Sequence, residues 1–248
     1  MFYAITNQDG HLLIIDGGNP GITDYFQTVL SMLGNKIDFW FLTHPHIDHI
    51  GVFCSLWNTD TNITADKIYT VDMASVELCQ QNASWDDYSI YQQFLEYDIA
   101  NLEYVHAGDI LDFFGNKITF FSAYDEYVDE LSSDLVNDGS MMFKIYGETE
   151  SMLFCSDIGK SLSDYLENKY SDEIPSDYIQ MGHHGNGGLL ESFYLRVNTK
   201  IAFFDAPEWL MNPEEGSIYT TPENRAIMES LGSEIYYYAD APTVISIN

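Results

Sequence analysis

Thr43-His44-Pro45-His46-Ile47-Asp48-His49-Ile50-Gly51 places three imidazoles and a carboxylate within six positions, in a chain that has seven histidines among 248 residues. Imidazole and carboxylate donors together suit zinc, manganese or iron, and so compact a run can face two ions, alternate side chains pointing to neighbouring pockets. The segment just before it, Ile37-Asp38-Phe39-Trp40-Phe41-Leu42, is short, apolar and aromatic-rich, as expected for a buried strand. The histidines therefore begin where a strand ends. Layered α/β architectures collect site residues on loops at such ends, where a rigid sheet holds them within reach of solvent.

The same pattern recurs on either side. Upstream, residues 2–5 and 11–15 read as a hairpin around Asp9-Gly10, and its second strand ends in Asp16-Gly17-Gly18. Apolar residues at Ile22, Tyr25, Phe26, Val29, Leu30 and Leu33 form a helical stripe closed by Gly34. Downstream, a short helix follows Gly51, then a strand over 67–71 and a helix over 85–97, a region with little chemistry in it. Residues 102–105, 109–113 and 117–122 read as successive strands of a β-meander, and 140–146 with 152–155 as a hairpin that runs into Ser156-Asp157.

A helix over 161–169 leads to a strand over 177–181, which empties into Gly182-His183-His184-Gly185. A helix over 189–197 and a strand over 201–205 follow. Thr220-Thr221-Pro222-Glu223 starts a helix with a capping-box pattern and proline in its first turn, and strands over 234–238 and 244–247 close the chain. With no repeat, low-complexity segment or linker, residues 1–248 are expected to form one domain.

Composition narrows the function classes. The 46% hydrophobic and 15% aromatic content argues against disorder, despite a formal charge of -30 from 39 acidic and 9 basic residues. Such an excess of carboxylates repels polyanions, so nucleic acid is disfavoured as a partner and a small-molecule substrate is expected; the oligomeric state stays open. No apolar run reaches the roughly 18 residues needed to span a bilayer. The chain as given is expected to be soluble, cytoplasmic or, if its start is trimmed, cell-surface or secreted. Cys54, Cys79 and Cys155 are scattered and form no paired zinc motif.

His44-x-His46-x-Asp48-His49 resembles the signature of the metallo-β-lactamase superfamily, Asp16-Gly17-Gly18 is similar to its first motif, and Ser156-Asp157 resembles its Gly-Asp. Gly182-His183-His184-Gly185 resembles the branch that includes the soluble domain of the ComEC/Rec2 DNA-uptake protein and phosphorylcholine-esterase-like hydrolases. The resemblance spans nearly the whole chain. It implies an α/β fold, an αββα sandwich of two mixed sheets packed face to face with helices outside, and two divalent ions at one edge, zinc first and manganese or iron next. Carried over by residue, His44 and His46 hold one metal, Asp48 and His49 the other, Asp157 bridges them, and His183 is the further ligand.

Asp16 is implied to orient the histidine loop, His184 to support a neighbour or touch substrate, Asn137 or Asp138, with Ser140, to stand near the place of the histidine that many members have before the bridging aspartate and this chain lacks, and Lys160 to contact an oxyanion. His106 reads as incidental. Ser156 in place of Gly, and Thr220-Thr221-Pro222 where His-Pro is common, depart from the branch. The flavin-linked diiron branch fits poorly, because it replaces His46 with an acidic residue.

The implied chemistry is metal-dependent hydrolysis, with Asp48 and Asp157 as the catalytic carboxylates and a metal-bound hydroxide attacking a phosphate ester or diester. Within enzymes the alternative is a lactone, thioester or amide hydrolase; in another class it is a binding or regulatory module that keeps the metal without turnover.

Overall fold

Leu12, Leu13, Ile14 and Ile15 are four successive apolar residues and all are buried, so β2 (Leu12–Asp16) is covered on both faces and lies inside a sheet. The computed structural model describes residues 1–57, 59, 61–237 and 242–247. The chain forms two compact units, residues 1–105 with 134–136 and residues 106–133 with 137–248.

In the first unit the order is β1 (Phe2–Thr6), β2, α1 (Thr23–Met32), β3 (Lys36–Phe41), α2 (Ile47–Leu56), β4 (Thr64–Thr70), α3 (Val76–Asn82), α4 (Ser89–Leu95) and β5 (Leu102–Tyr104). The strands form a sheet in the order β1-β2-β3-β4-β5. The β1–β2 hairpin is antiparallel, and every later pair is parallel because a helix crosses over between its strands. Trp40 anchors the core of this unit, stacked on Phe26 at 5.5 Å and edge-on to Phe53 at 5.1 Å. Its indole N–H donates to the Asp16 carbonyl at 2.9 Å, which ties the end of β2 to β3.

The second unit contains β6 (Ile110–Phe113), β7 (Asn116–Ser122), α5 (Glu126–Leu131), the end of α6 (Leu135–Asp138), β8 (Met142–Tyr146), β9 (Ser151–Phe154), α7 (Ser163–Tyr170), β10 (Tyr178–Gln180), α8 (Glu191–Val197), β11 (Ile201–Phe204), α9 (Glu208–Met211), α10 (Thr221–Ser230) and β12 (Glu234–Tyr237). Its sheet runs β12-β11-β10-β9-β8-β7-β6. β6 to β9 pair antiparallel, β6–β7 and β8–β9 as hairpins and β7–β8 across α5 and α6, and crossovers make β9 to β12 parallel. The fold class is therefore mixed α/β with two mixed sheets. Among the described residues, no helix is long and apolar enough to cross a membrane.

Several elements differ from the sequence expectation. The strand over 102–105 does not join the meander: β5 pairs with β4 in the first sheet, and the meander starts at β6. Both segments are short and apolar, so local pattern cannot say which sheet receives them. The helix over 85–97 starts only at Ser89, and a further helix, α3, precedes it, capped by the Ser75 hydroxyl, which accepts from Leu78 N–H at 3.3 Å. Thr220 caps nothing through its side chain; its hydroxyl accepts instead from Gly187 N–H at 2.6 Å. Residues 244–247 form no strand, and Val244 is left 93% exposed. The expected last residue of the 234–238 strand, Tyr238, lies outside the described residues.

Candidate metal centre

The histidine run leaves β3 and enters α2 within six residues. His46 is extended and stands just before the helix, so Asp48 and His49 sit in its first turn rather than on a loop. Adjacent helical residues diverge, and here the His49 side chain is fully buried while that of Asp48 is 45% exposed. The backbone of the turn is held from β2, where Gly17 N–H and Gly18 N–H both donate to the His49 carbonyl at 2.9 Å.

Asp16 organises this end of the unit. Its φ of 57° lies in the left-handed region, which Asp tolerates better than most residues, and the carboxylate is fully buried. It accepts from Thr43 N–H at 2.8 Å, from the Thr43 hydroxyl at 2.9 Å and from His49 Nδ1 at 2.8 Å. A carboxylate only accepts, so the His49 proton sits on Nδ1 and Nε2 presents its lone pair, 3.9 Å from Asp48 Oδ2. The Thr43 hydroxyl spends its proton on Asp16 and takes one from His44 Nδ1 at 3.1 Å, which leaves His44 Nε2 as the other lone-pair nitrogen.

His44 Nε2 faces His46 Nδ1 at 3.1 Å. Two nitrogens bound to one tetrahedral ion at about 2.0–2.1 Å stand about 3.3 Å apart, so this pair fits the edge of a metal tetrahedron. The far nitrogen of His46, Nε2, meets Asp86 Oδ2 at 2.7 Å. Burial pushes the Asp86 carboxyl up, but its bonds to His46 and to Asp87 N–H outweigh this and hold it below the usual carboxylate range. Sequence reasoning missed Asp86, reading residues 85–97 as a helix without chemistry; it lies in the turn before α4, 40 positions from its partner, and no local signal marks it. Beside it opens a polar recess of about 330 Å³ lined by Gln80, Ser84, Asp86, Asp87, Ser89 and Gln92.

In the second unit Asp157 follows β9 and is buried. Its N–H donates to the Ser140 hydroxyl at 3.2 Å, and Ser140 N–H in turn donates to the Asn137 carbonyl at 3.1 Å, so the 137–140 turn carries Asp157. Asp138 Oδ1 accepts from Gly159 N–H at 2.7 Å, on the far side of the same loop. Ser156, where the resembled motif has Gly, sits at φ 46°, and its hydroxyl donates to the Met141 carbonyl. That bond accompanies a left-handed conformation that glycine would enter freely.

Gln180 was also missed. Fully buried at the end of β10, its side-chain oxygen accepts from Ser156 N–H at 2.7 Å and Cys155 N–H at 3.0 Å, and its amide donates to the Met181 carbonyl at 2.7 Å. It therefore joins the strand end of Asp157 to the strand end of the double histidine.

There the double histidine divides, one residue contributing its ring and the other its backbone. His184, not His183, is brought to Asp157, with Nε2 3.3 Å from Oδ2, whereas His183 contributes its backbone, N–H to the Ser156 carbonyl at 2.9 Å. The carried-over assignment gave the place to His183, but His183 (φ 48°, ψ 51°) and His184 (φ 58°, ψ 14°) are both left-handed. Two such residues in a row curl the chain, so strand alternation does not apply. Gly185 at φ +83° continues the curl, where a Cβ would stand 2.3 Å from the Phe204 ring. The turn is fastened to α10 by Asn224, which donates to the Gly185 carbonyl at 2.9 Å, and by Thr220. Lys160 is exposed at the start of a 3-10 turn, and His106 is exposed beside Asp109, apart from these contacts.

Residues 2–53 match the family model described as the Metallo-beta-lactamase superfamily. The metallo-beta-lactamase fold protein YhfI from Bacillus subtilis superposes with a TM-score of 0.52 at 13% identity, over 95% of this chain and 88% of that one. A diphosphatase from the PhnP family gives 0.51 at 16% identity, over 97% and 83%. Rubredoxin oxygen:oxidoreductase from Desulfovibrio gigas gives 0.51 at 14%, over 96% of this chain and 63% of that chain. No curated protein matches in sequence. At such identities the structural likeness is one of fold.

Proposed function

We propose that this chain, which carries the metallo-β-lactamase fold, is a metal-dependent hydrolase with a dinuclear centre, zinc first among the divalent ions, acting on a phosphate ester or diester of a small molecule. The observation that carries the proposal is the convergence of His44 Nε2 and His46 Nδ1 at 3.1 Å, with His44 and His49 held by Asp16 and Thr43 in the tautomers that a cation requires. The ligand set implied by the sequence resemblance, His44, His46, Asp48, His49 and Asp157, is kept, with His184 in place of His183.

Divalent ions bound by such a set supply water activation near neutral pH and polarise a phosphoryl oxygen. The chain's own residues prepare the donors. Asp16 fixes the His49 ring through Nδ1, and Ser140 fixes the Asp157 backbone. Asp48, the one carboxylate of the run and half-exposed, is suited to receive a proton from an attacking water. The diphosphatase among the fold neighbours agrees with phosphoryl chemistry, and the charge of -30 favours a small substrate over a polyanion.

Elemental analysis of protein purified without chelator is expected to find up to two metal ions per chain. Zinc- and manganese-loaded protein is then expected to hydrolyse bis-p-nitrophenyl phosphate or phosphorylcholine esters, and to act on short single-stranded DNA only weakly and less as salt rises. A stable protein that takes up no metal refutes the proposal. Turnover confined to lactones, or metal without turnover on any of these compounds, replaces it with the lactonase or the binding-module alternative.

A further inference from the structure

Asp86 belongs to no motif, yet its contact with His46, at 2.7 Å, is among the shortest made by any ring of the run. The turn that carries it is built for that contact. The Tyr88 hydroxyl donates to the carbonyls of Cys79 at 2.9 Å and Ala83 at 2.8 Å, closing residues 79–88 into a loop, and Asp86 N–H donates to the Ala83 carbonyl at 3.2 Å. Leu135 N–H donates to Asn82 Oδ1 at 3.1 Å and pins the start of the loop. Asp86 Oδ1 accepts from Asp87 N–H at 2.8 Å, which turns Oδ2 towards His46. The carboxylate is held at both oxygens, with 16% of its side chain exposed.

A carboxylate takes its hydrogen bond from a ring N–H, so this contact places the His46 proton on Nε2 and turns the Nδ1 lone pair towards His44. Thr43 does the reverse for His44. Two lone pairs then face each other across 3.1 Å, an arrangement that a cation satisfies and a neutral hydrogen bond does not. We propose that Asp86 is a positioning residue of the metal centre, acting on it through His46 from outside the histidine motif by fixing this ring as an Nδ1 donor.

The proposal rests on the metal-centre reading above, and two measurements separate them. In metal-free protein labelled with 15N, the imidazole correlations of His46 are expected to show the Nε2–H tautomer, and Asp86→Ala to shift that ring to a mixture or to Nδ1–H while His49 keeps its own pattern. Cobalt(II) titration, followed by the visible absorption of the bound ion, is expected to show affinity falling about 10- to 100-fold in Asp86→Ala, with an altered spectrum, and by less in Asp86→Asn, which can still accept a hydrogen bond. Asp87→Asn, in the same turn, is expected to leave both the tautomer and the spectrum unchanged. If Asp86→Ala does not fold, the Asp86→Asn tautomer and titration decide.

Wild-type protein that takes up no cobalt overturns the metal-centre reading and this inference with it. A wild type that binds cobalt while the Asp86 variants bind as tightly, with the same spectrum or an unchanged His46 tautomer, overturns the inference alone.

Discussion

The two groups of histidines are built on different backbones. The run from His44 to His49 leaves β3 through a short bend, is extended at His46 and ends in the first turn of α2, with no left-handed residue along it. The pair at 183 and 184 sits on successive left-handed residues, and there the second ring, not the first, turns to a carboxylate. Donors on a chain that stays out of the left-handed region follow spacing more closely than donors on a curled turn, because one reversal of φ sends a side chain elsewhere.

The largest test of this contrast is Asp16→Ala. That change removes the acceptor shared by Thr43 N–H, the Thr43 hydroxyl and His49 Nδ1 in a fully buried place, and each stranded donor costs about 1–3 kcal/mol. Denaturant melts are expected to show a loss of about 3 kcal/mol or more together with a collapse of metal binding. A change below about 1 kcal/mol would mean that the first group does not depend on its strand-end anchor.

Next come the paired changes His184→Ala and His183→Ala. Losing a ligand should cost at least the 10- to 100-fold in metal affinity that supporting residues cost, so His184→Ala is expected to bind zinc more weakly by that factor and His183→Ala to change it only severalfold. Isothermal titration of both variants reads the difference, and the reverse order would return the ligand to His183.

The smallest effect expected is a pH dependence in the second unit, away from its histidine turn. Lys144 on β8 is buried and donates to the carbonyls of Glu173 and Pro175, and burial lowers its pKa to about 8. Between that value and the 10.5 of an ordinary lysine, the unfolded chain holds the proton more than the folded one, so this group adds stability as pH rises through the window. Relative to Lys144→Met, the wild type is therefore expected to gain about 1 kcal/mol between pH 8 and 9.5. A gap between the two that stays flat, or narrows in the other direction, would place the charged lysine at ease in its carbonyl cage.

Much of this architecture was legible beforehand. The strand before His44, the hairpin into Asp16, the hairpin into Asp157 and the strand before His183 all appear with ends within a few residues of those expected, because apolar runs and turn residues are local signals. The strand over 102–105 was legible as a strand but not as a member of the first sheet, since two sheets offer the same short apolar segment equal local terms. The capping pattern at Thr220 was legible and misled, because a tertiary donor, Gly187 N–H, took the hydroxyl that the helix would have used.

By itself, the sequence determined which chemical groups are present and which strand ends deliver them, since strand and helix periodicities act over a few residues. Only the tertiary structure decided that Asp86 holds His46 from 40 positions away, that Gln180 links the ends of β9 and β10, and that His184 is the ring at Asp157. These are hydrogen bonds between distant segments and signs of φ at residues other than glycine. Both are settled as each unit folds, and neither leaves a mark in the order of side chains.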